Sequence, residues 1–320
     1  MMRIGLIGAG RWGKRYIETI ARMDGVELAH LGSTNPASTQ LVPSGCRVSF
    51  DWHDVACDRT LQGIILASPP VMHCEMALAS INARIPILIE KPMTLSARDA
   101  RAVVVAAASD VLVLTGHTHL FSSAFRALKA EATSLGRLLY TRACGGNRGP
   151  VRTDATVLWD WGPHDVAMSL DLFGSFPTSI TALRIATQEL PDGVGEAIEI
   201  HLGFAGGDRS EIRVSNIEPH KRRVFEAYFP DGTLIYDDLA EHKLVRRNSP
   251  ASPWVPIPVD PSLPLTNLVS EFCACIASKT SSHPSLELGV RAVEVLEHCQ
   301  TLLARESAAG SPASRVTPCA

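Results

Sequence analysis

The first third of the chain alternates short apolar runs with amphipathic stretches of helical length. The apolar runs are typical of strands buried on both faces, and the longer stretches predict helices at 14–23, 71–82 and 96–108. Strands are predicted at 3–7, 26–31, 47–50, 63–67, 85–89 and 111–114. Strands that alternate with helices form parallel sheets covered on both faces, so this part is predicted to be a doubly wound α/β domain.

The pattern changes after about residue 118, where strand-like segments follow one another with little helix between them. Helices are predicted at 121–133, around Asp160, at 267–277 and at 286–305, and strands at 138–143, 179–185, 196–204, 209–216, 223–229 and 233–237. An Asp231-Gly232 turn joins the last two strands. Short turns between strands predict a mostly antiparallel sheet in a second, α+β domain. The basic run at 220–223 is expected at a sheet edge, where charge discourages pairing.

Composition limits the function classes. With 320 residues, 46% hydrophobic, the chain is long enough for two domains, which we place at 1–118 and 119–306. The small, polar tail at 307–320 is expected to be disordered. A net charge of -3 favours neither nucleic acid nor a membrane surface as partner. Eight scattered cysteines without a CxxC pair, and no apolar run of membrane-spanning length, predict a soluble cytoplasmic protein.

A glycine motif follows the first predicted strand and opens the first predicted helix, Gly8-Ala9-Gly10-Arg11-Trp12-Gly13. In a strand–helix–strand unit this spacing predicts a turn that holds the pyrophosphate of a dinucleotide at a helix N-terminus. An acid normally ends the second strand and binds the adenosine ribose. Here Ser33 and Thr34 occupy that region without charge, so NADP is at least as good a candidate as NAD, and Arg11 is a second candidate contact for its 2′-phosphate.

Asp160 and His164 stand four residues apart in the segment VLWDWGPHDV, so a helix brings both side chains to one face. Taken singly, Asp160 is explained as a helix N-cap and His164 as a core histidine. Together, the two side chains would serve the oxidation of a secondary alcohol. This reaction needs a base with a pKa near neutral pH at the hydroxyl group while hydride leaves the carbon.

A resemblance becomes specific at Glu90-Lys91-Pro92, which follows the fifth predicted strand. With the glycine motif, the segment Ser68-Pro69-Pro70-Val71-Met72-His73 and the Asp160/His164 pair, it makes the chain similar to the Gfo/Idh/MocA family of glucose-fructose oxidoreductase and inositol dehydrogenase. The resemblance extends from about residue 3 to about residue 305. It implies a Rossmann domain followed by an open, largely antiparallel sheet. Within the family, the chain resembles the nucleotide-sugar dehydrogenase branch.

The resemblance implies a site built from three side chains. Lys91 would lie beside the nicotinamide and stabilise a developing alkoxide, and His164 would act as the base. Asp160 would either orient His164 or accept a hydrogen bond from a second substrate hydroxyl. The resemblance also implies cofactor contacts by a set of residues at the strand ends: Gly8, Gly10, Arg11, Trp12, Gly13, Ser33, Thr34, Ser68, Pro69, His73, Glu90 and Lys91.

Further substrate contacts are expected from His117 and His119, which follow the sixth strand, and from Arg148 and Trp161, which flank or lie in the helix of Asp160. Each has an ordinary alternative, since loop histidines and solvated arginines are common. The HxH pair lacks a third ligand at a convincing spacing, so no metal site is predicted.

The sequence therefore predicts an enzyme, an NAD(P)-dependent oxidoreductase that acts on a hydroxyl or keto group of a sugar, nucleotide sugar or cyclitol. A glycosidase that uses tightly held NAD, and a dinucleotide-binding regulatory protein without catalysis, are the alternatives. The family resemblance implies a homodimer or homotetramer, with a small carbohydrate-like molecule as the other partner.

Overall fold

A computed structural model describes residues 1–108, 110–152 and 155–308. The helices are α1 Arg11–Ile20, α2 Trp52–Ala56, α3 His73–Asn82, α4 Ala97–Ala107, α5 Ser123–Ala132, α6 Val157–Phe173, α7 Pro264–Ala277 and α8 Pro284–Ala308. The strands of the first half are β1 Met2–Ile7, β2 Val26–Gly32, β3 Arg47–Ser49, β4 Gly63–Leu66, β5 Ile87–Glu90 and β6 Val113–Gly116. Those of the second half are β7 Tyr140–Arg148, β8 Ser179–Leu190, β9 Gly193–Gly203, β10 Arg209–Ser215, β11 Ile217–Phe229, β12 Gly232–Asp237, β13 Leu244–Arg247 and β14 Val255–Pro256.

The chain divides into two compact units, 1–121 with 262–293 and 122–261 with 294–320. The sequence placed both C-terminal helices in the second domain, whereas α7 and the start of α8 belong to unit 1. The reason is burial, because Leu268, Val269 and Phe272 of α7 lie in the core of unit 1. Of the tail expected to be disordered, 307–308 end α8, and 309–320 lie outside the described residues.

Unit 1 contains a parallel sheet with the strand order β3-β2-β1-β4-β5-β6. This is the order of dinucleotide-binding doubly wound folds, and it confirms the predicted Rossmann domain. Tyr16, Ile17 and Ile20 form the buried face of α1 and pack with the sheet residues Ile4 and Leu6. Each βα connection brings the carboxyl end of a strand to the same edge of the sheet, where ligands of such folds bind.

Unit 2 contains a sheet with the order β14-β13-β12-β11-β7-β10-β9-β8. Neighbouring strands are antiparallel except β7 and β10, which are parallel, so the prediction of a mostly antiparallel sheet is confirmed. Helix α6 contacts β7, β9 and β10, and α5 contacts β12 and β13. The predicted turn at Asp231-Gly232 joins β11 to β12.

The basic run at 220–223, which was expected at a sheet edge, lies in the first half of β11. Arg222 and Arg223 pair with Gly146 and Gly145 of β7, whereas the pairing of β11 with β12 begins at Val224. The register between β11 and β7 shifts between Ile217 and Arg222, so part of the run sits in an irregular stretch of the ladder. On the β12 side this part of β11 lies beyond the paired strand, in keeping with the expected edge position.

No helix in the described residues combines the length and apolar character needed to cross a bilayer.

Candidate active site

The glycine motif forms the predicted strand–turn–helix at the carboxyl end of β1. Gly8 has φ +105°, a conformation that side chains rarely adopt, and a Cβ there would lie 2.5 Å from the Ala67 carbonyl oxygen. A Cβ at Gly13 would lie 2.0 Å from the carbonyl oxygen of Gly8, so α1 packs against the turn at a distance that only glycine permits. The first turn of α1 contains no acid, which leaves the positive end of the helix dipole available to a phosphate.

The loop after β2 uses its polar side chains locally. The Oγ atoms of Ser33 and Ser38 are 2.8 Å apart, and the Asn35 side chain accepts a bond of 3.1 Å from the N–H of Ala37. The Ser33 N–H donates to the carbonyl of Ser49 at 3.0 Å, which joins this loop to the end of β3. Thr34 and the predicted phosphate contact Arg11 are both exposed, while Trp12 is half-buried. The ribose side of the site therefore presents hydroxyls and no carboxylate from Ser33 to Asn35.

His73 lies at the start of α3 and joins two loops of the site. Its Nδ1 is 3.0 Å from the carbonyl oxygen of Pro92, and its Nε2 is 3.0 Å from that of Ser68. Burial lowers the pKa of His73, although the backbone contacts oppose this effect. His73 is 0% exposed, and its two contacts join the loop after β4 to the turn after β5. Its predicted contact with the cofactor stays a prediction.

Glu90 anchors the turn that carries Lys91. The Tyr16 hydroxyl donates to Glu90 Oε1 at 2.5 Å, and the Lys91 N–H donates to Oε2 at 3.0 Å. Burial raises the pKa of Glu90, and Tyr16 and Lys91 oppose this shift. The carboxyl group of Glu90 thus joins α1 to the turn that carries Lys91, and its predicted contact with the cofactor stays a prediction. Lys91 is half-buried and precedes a cis proline, Pro92.

The end of β6 adds two histidines to the same edge of the sheet. His117 is almost fully buried, and His119 lies in the short 3-10 helix Thr118–Phe121 that follows. Since β1, β4, β5 and β6 are parallel neighbours, their carboxyl ends bring together the glycine turn, Ser68-Pro69, Lys91 and His117. This group within unit 1 is the predicted cofactor side of the site.

Helix α6 carries the predicted acid and base of unit 2. Asp160 stands in its first turn, where the helix dipole favours a carboxylate, and His164 follows one turn later and is buried. Pro163 lies within the helix and lacks the N–H that would bond to the carbonyl of Trp159. The predicted helix and the spacing of the two side chains are as the sequence indicates. Their meeting with Lys91, which belongs to unit 1, stays a prediction.

The carboxylate of Asp160 has a guanidinium partner, Arg152. Nη1 of Arg152, in the connection between β7 and α6, lies 3.0 Å from Asp160 Oδ1, and the side chains are 35% and 26% exposed. Arg148, the arginine selected from sequence for substrate contact, ends β7 and is exposed. Arg152 is thus paired with the predicted acid, and the predicted substrate contact of Arg148 stays a prediction.

A second acid of α6 faces the sheet of unit 2. A Cβ on Gly145 of β7 would lie 2.8 Å from Asp165 Oδ2 and 3.3 Å from the Trp161 ring, and the Arg223 guanidinium lies 4.7 Å from a ring centroid of Trp161. Burial raises the pKa of Asp165 to about 7, and Arg223 opposes the shift. These contacts give Trp161 a packing role between α6 and the sheet, and its predicted substrate contact stays a prediction.

No grouping of three or more His, Cys, Asp or Glu side chains suited to a metal ion occurs in residues 1–108, 110–152 and 155–308.

Comparison with known proteins supports the assignment of the cofactor domain. The family described as "Oxidoreductase family, NAD-binding Rossmann fold" (GFO_IDH_MocA) matches residues 2–117. A Sphingobium protein, 4-carboxy-2-hydroxymuconate-6-semialdehyde dehydrogenase, is 32% identical over 262 residues, covering 76% of this chain and 82% of the relative. The chain belongs to the Gfo/Idh/MocA family. Membership confirms the resemblance stated from sequence, the oxidoreductase class and a nicotinamide dinucleotide as cofactor.

Other known proteins match the chain to different extents. Inositol 2-dehydrogenase 4 of Saccharopolyspora erythraea is 28% identical over 217 residues, which are 64% of this chain and 64% of the relative, so less than two thirds of its length is matched. The crystal structure of a putative oxidoreductase from Magnetospirillum magnetotacticum superposes with a TM-score of 0.86 at 40% identity, covering 93% of this chain and 99% of that one. Both units of the fold are thus shared with a solved relative.

Sequence reasoning missed several residues that support the site. Tyr16 was assigned only to a helix, and its bond to Glu90 depends on the packing of α1 on β5. Arg152 precedes α6 in the chain, and its pairing with Asp160 follows from the fold and not from a sequence motif. The direct juxtaposition His164-Asp165 was visible in the sequence, but the burial of Asp165 became evident only with the sheet in place.

Proposed function

We propose that the protein transfers hydride between a nicotinamide cofactor and a secondary hydroxyl or keto group of a sugar, nucleotide sugar or cyclitol. One observation carries the proposal: Lys91 follows a buried, doubly hydrogen-bonded Glu90 at the same sheet edge as the glycine turn. A cation held beside the cofactor edge suits a reaction in which an alkoxide develops. The inositol 2-dehydrogenase relative supports the cyclitol class by its name.

The residues present fit a dinucleotide. The turn at Gly8 and the close approach of Gly13 leave backbone rather than side chains at the N-terminus of α1, where no acid would repel a pyrophosphate. When bound, nicotinamide supplies the chemistry of accepting or giving a hydride. The protein's own residues bind the phosphates, place Lys91 and handle the proton.

In the oxidising direction, His164 accepts the proton of the substrate hydroxyl, since imidazole is the side chain whose ordinary pKa suits a base near neutral pH. Lys91 stabilises the negative charge that develops on the same oxygen. Asp160 either orients His164 or accepts a hydrogen bond from a neighbouring hydroxyl. In the reducing direction the same groups act in reverse, with His164 giving the proton.

We also propose that NADP is accepted at least as well as NAD. The support is the uncharged stretch from Ser33 to Asn35 after β2, where a carboxylate would repel a 2′-phosphate, and the exposed Arg11 in the first turn of α1. A homodimer or homotetramer in the cytoplasm completes the proposal, and light scattering of the purified protein measures the assembly.

A second candidate substrate class is favoured by the Sphingobium relative, whose name describes a carboxylated semialdehyde. An acidic aldehyde, present in water partly as its hydrate or hemiacetal, offers the same hydroxyl-bearing carbon to hydride transfer. Arg152 beside Asp160 places a guanidinium near the predicted acid. The substrate panel below therefore includes carboxylated compounds.

The deciding experiment measures nicotinamide reduction and oxidation with NAD and NADP against sugars, sugar nucleotides, inositols and carboxylated aldehydes. We expect turnover with a hydroxylated carbohydrate, whereas activity with carboxylated aldehydes alone selects the second class. Lys91→Met should retain dinucleotide binding and lose on the order of 100-fold or more in kcat. Lys129→Met, which removes a surface lysine paired with Asp171, is the matched control.

Two other outcomes have distinct signatures. A glycosidase with tightly held NAD would retain cofactor through purification and hydrolyse a glycoside with no net turnover of added cofactor. A regulatory protein would bind dinucleotide with equal affinity in wild type and Lys91→Met and show no turnover in either. Unchanged turnover in Lys91→Met would remove Lys91 from the mechanism.

A further inference from the structure

The ion pair between Arg152 and Asp160 connects the loop after β7 with the first turn of α6. Arg152 Nη1 donates to Asp160 Oδ1 at 3.0 Å. The side chains are about one third and one quarter exposed, so solvent screens the pair less than an ion pair on the open surface. The eight-residue separation places the guanidinium outside the helix, and it approaches Asp160 from the preceding connection.

A carboxylate in the first turn of a helix has several rotamers open to it, because its side chain can turn toward the backbone N–H groups or toward solvent. No side-chain capping bond is made at Thr156, the N-cap of α6. A bond from the planar guanidinium restricts the carboxylate of Asp160 to one orientation. The orientation matters because His164 lies one turn further along the same face.

We infer that Arg152 is a positioning residue of the proposed active site, which acts by holding the carboxylate of Asp160 in the orientation used with substrate. The inference rests on the proposed function, because it assigns Asp160 to the reaction. Arg152 and Asp160 belong to unit 2, whereas the predicted cofactor residues belong to unit 1. The effect is therefore expected in turnover and substrate KM, with dinucleotide affinity unchanged.

A double-mutant cycle tests the inference, with wild type, Arg152→Met, Asp160→Asn and the double variant. The substrate is whichever compound of the panel wild type turns over. We expect Arg152→Met to lower kcat/KM on the order of 10- to 100-fold, the range of one charge-assisted hydrogen bond. In the Asp160→Asn background, removal of Arg152 should change kcat/KM less than about twofold, because its target is already lost.

Two further variants separate positioning from general stabilisation. Arg152→Lys keeps the charge and should recover part of the kcat, and added guanidinium ion at millimolar concentration should raise the rate of Arg152→Met but not of Asp160→Asn. Arg246→Met removes an arginine that is paired with Glu131 at a similar exposure and is the matched control, with kcat/KM expected within about twofold of wild type.

Several results would overturn the inference. Additive losses in the cycle would mean that Arg152 acts independently of Asp160, and a loss confined to carboxylated substrates would mean that Arg152 binds substrate directly. If wild type turns over nothing in the panel, the proposed function fails. The ion pair is then tested by the thermal unfolding of the same four proteins. A coupling energy of zero between positions 152 and 160 would contradict the inference as well.

Discussion

The three glycines of the dinucleotide turn differ in what a methyl group would meet, and this difference gives a quantitative prediction. Apart from its neighbours in the chain, none of the described residues has an atom within 4 Å of a Cβ built on Gly10, whereas a Cβ on Gly13 would lie 2.0 Å from the Gly8 carbonyl oxygen. Gly10 is the N-cap of α1 with φ -70° and ψ -162°, an extended conformation open to alanine. Gly10→Ala therefore tests whether the pyrophosphate occupies the space beside Gly10, and Gly13→Ala tests the close packing of α1 against the glycine turn.

We expect Gly10→Ala to fold as wild type and to bind dinucleotide weakly. Replacing glycine by alanine at an N-cap costs less than about 1 kcal/mol, so Tm should change by no more than about 3 °C. The methyl group projects into the space that a pyrophosphate would occupy. Loss of one charge-assisted bond to a phosphate oxygen, roughly 1.5–3 kcal/mol, weakens binding roughly 10- to 150-fold.

Gly13→Ala should behave differently. Cβ contacts under 3.0 Å essentially never occur, so the methyl and the Gly8 carbonyl must separate by at least 1.0 Å from their 2.0 Å starting distance. Both atoms belong to the backbone framework of the turn, and overpacking of this kind costs roughly 1–3 kcal/mol. Both stability and dinucleotide affinity should fall.

The assays are titration of nicotinamide fluorescence with reduced NAD and NADP, and thermal unfolding without cofactor. Gly10→Ala that binds both dinucleotides with wild-type affinity would refute the placement of the pyrophosphate at the N-terminus of α1. Gly13→Ala with wild-type Tm would refute the close packing of the helix on the turn.

The remaining predictions concern cofactor choice and buried acids. Ser33→Asp should shift the kcat/KM ratio at least about tenfold toward NAD, because an acid repels a 2′-phosphate, while the same charge at Val105, which is 76% exposed, should leave the ratio unchanged. Burial raises the pKa of Asp165 to about 7, so wild type binds a proton that the unfolded chain has released, and its stability should fall as pH rises from about 4 to about 7. Between pH 5 and pH 8 the loss is roughly 2.5–3 kcal/mol by linkage. Asp165→Asn should lack this loss in denaturant unfolding at the two pH values, and equal pH dependence of the two proteins would contradict the burial argument. Tyr16→Phe leaves Oε1 of Glu90 buried without its hydrogen-bond donor. The variant should lower the stability of unit 1 by roughly 1–3 kcal/mol in the same assay. A smaller loss of stability would mean that a water molecule replaces the tyrosine hydroxyl.

The sequence predicted the fold where the pattern was local and strong. The β strands of unit 1 are short apolar runs between turn residues, and Glu90 ends β5 as the motif indicates. Helix α2 spans five residues, and β14 spans two, one of them Pro256, so neither is long enough to show a period. Strand β13 reads Leu-Val-Arg-Arg, and its pairing with β12 rather than its pattern makes it a strand.

The residues of the site could be predicted only where they belong to a sequence motif. Gly8, Lys91, Asp160 and His164 occur in segments with recognisable spacing, so their elements could be assigned from sequence. His73 illustrates the limit, because its motif is clear but its two backbone partners, Ser68 and Pro92, follow from the packing of α3. Arg152 and Asp165 show the same limit, since an ion pair and a burial depth depend on the folded path of the chain.

The position of α7 bears on how the chain matures during synthesis. A Cβ on Gly63 of β4 would lie 2.9 Å from the Phe272 ring and 2.7 Å from Ile276, so the sheet of unit 1 and α7 are fitted closely. A ribosome that has released residues 1–121 must still translate 122–261 before this helix emerges, which takes roughly 7 to 28 seconds at about 5–20 residues per second. Until then the nascent Rossmann sheet exposes the apolar surface that α7 will cover. During this interval the sheet offers chaperones its largest apolar surface.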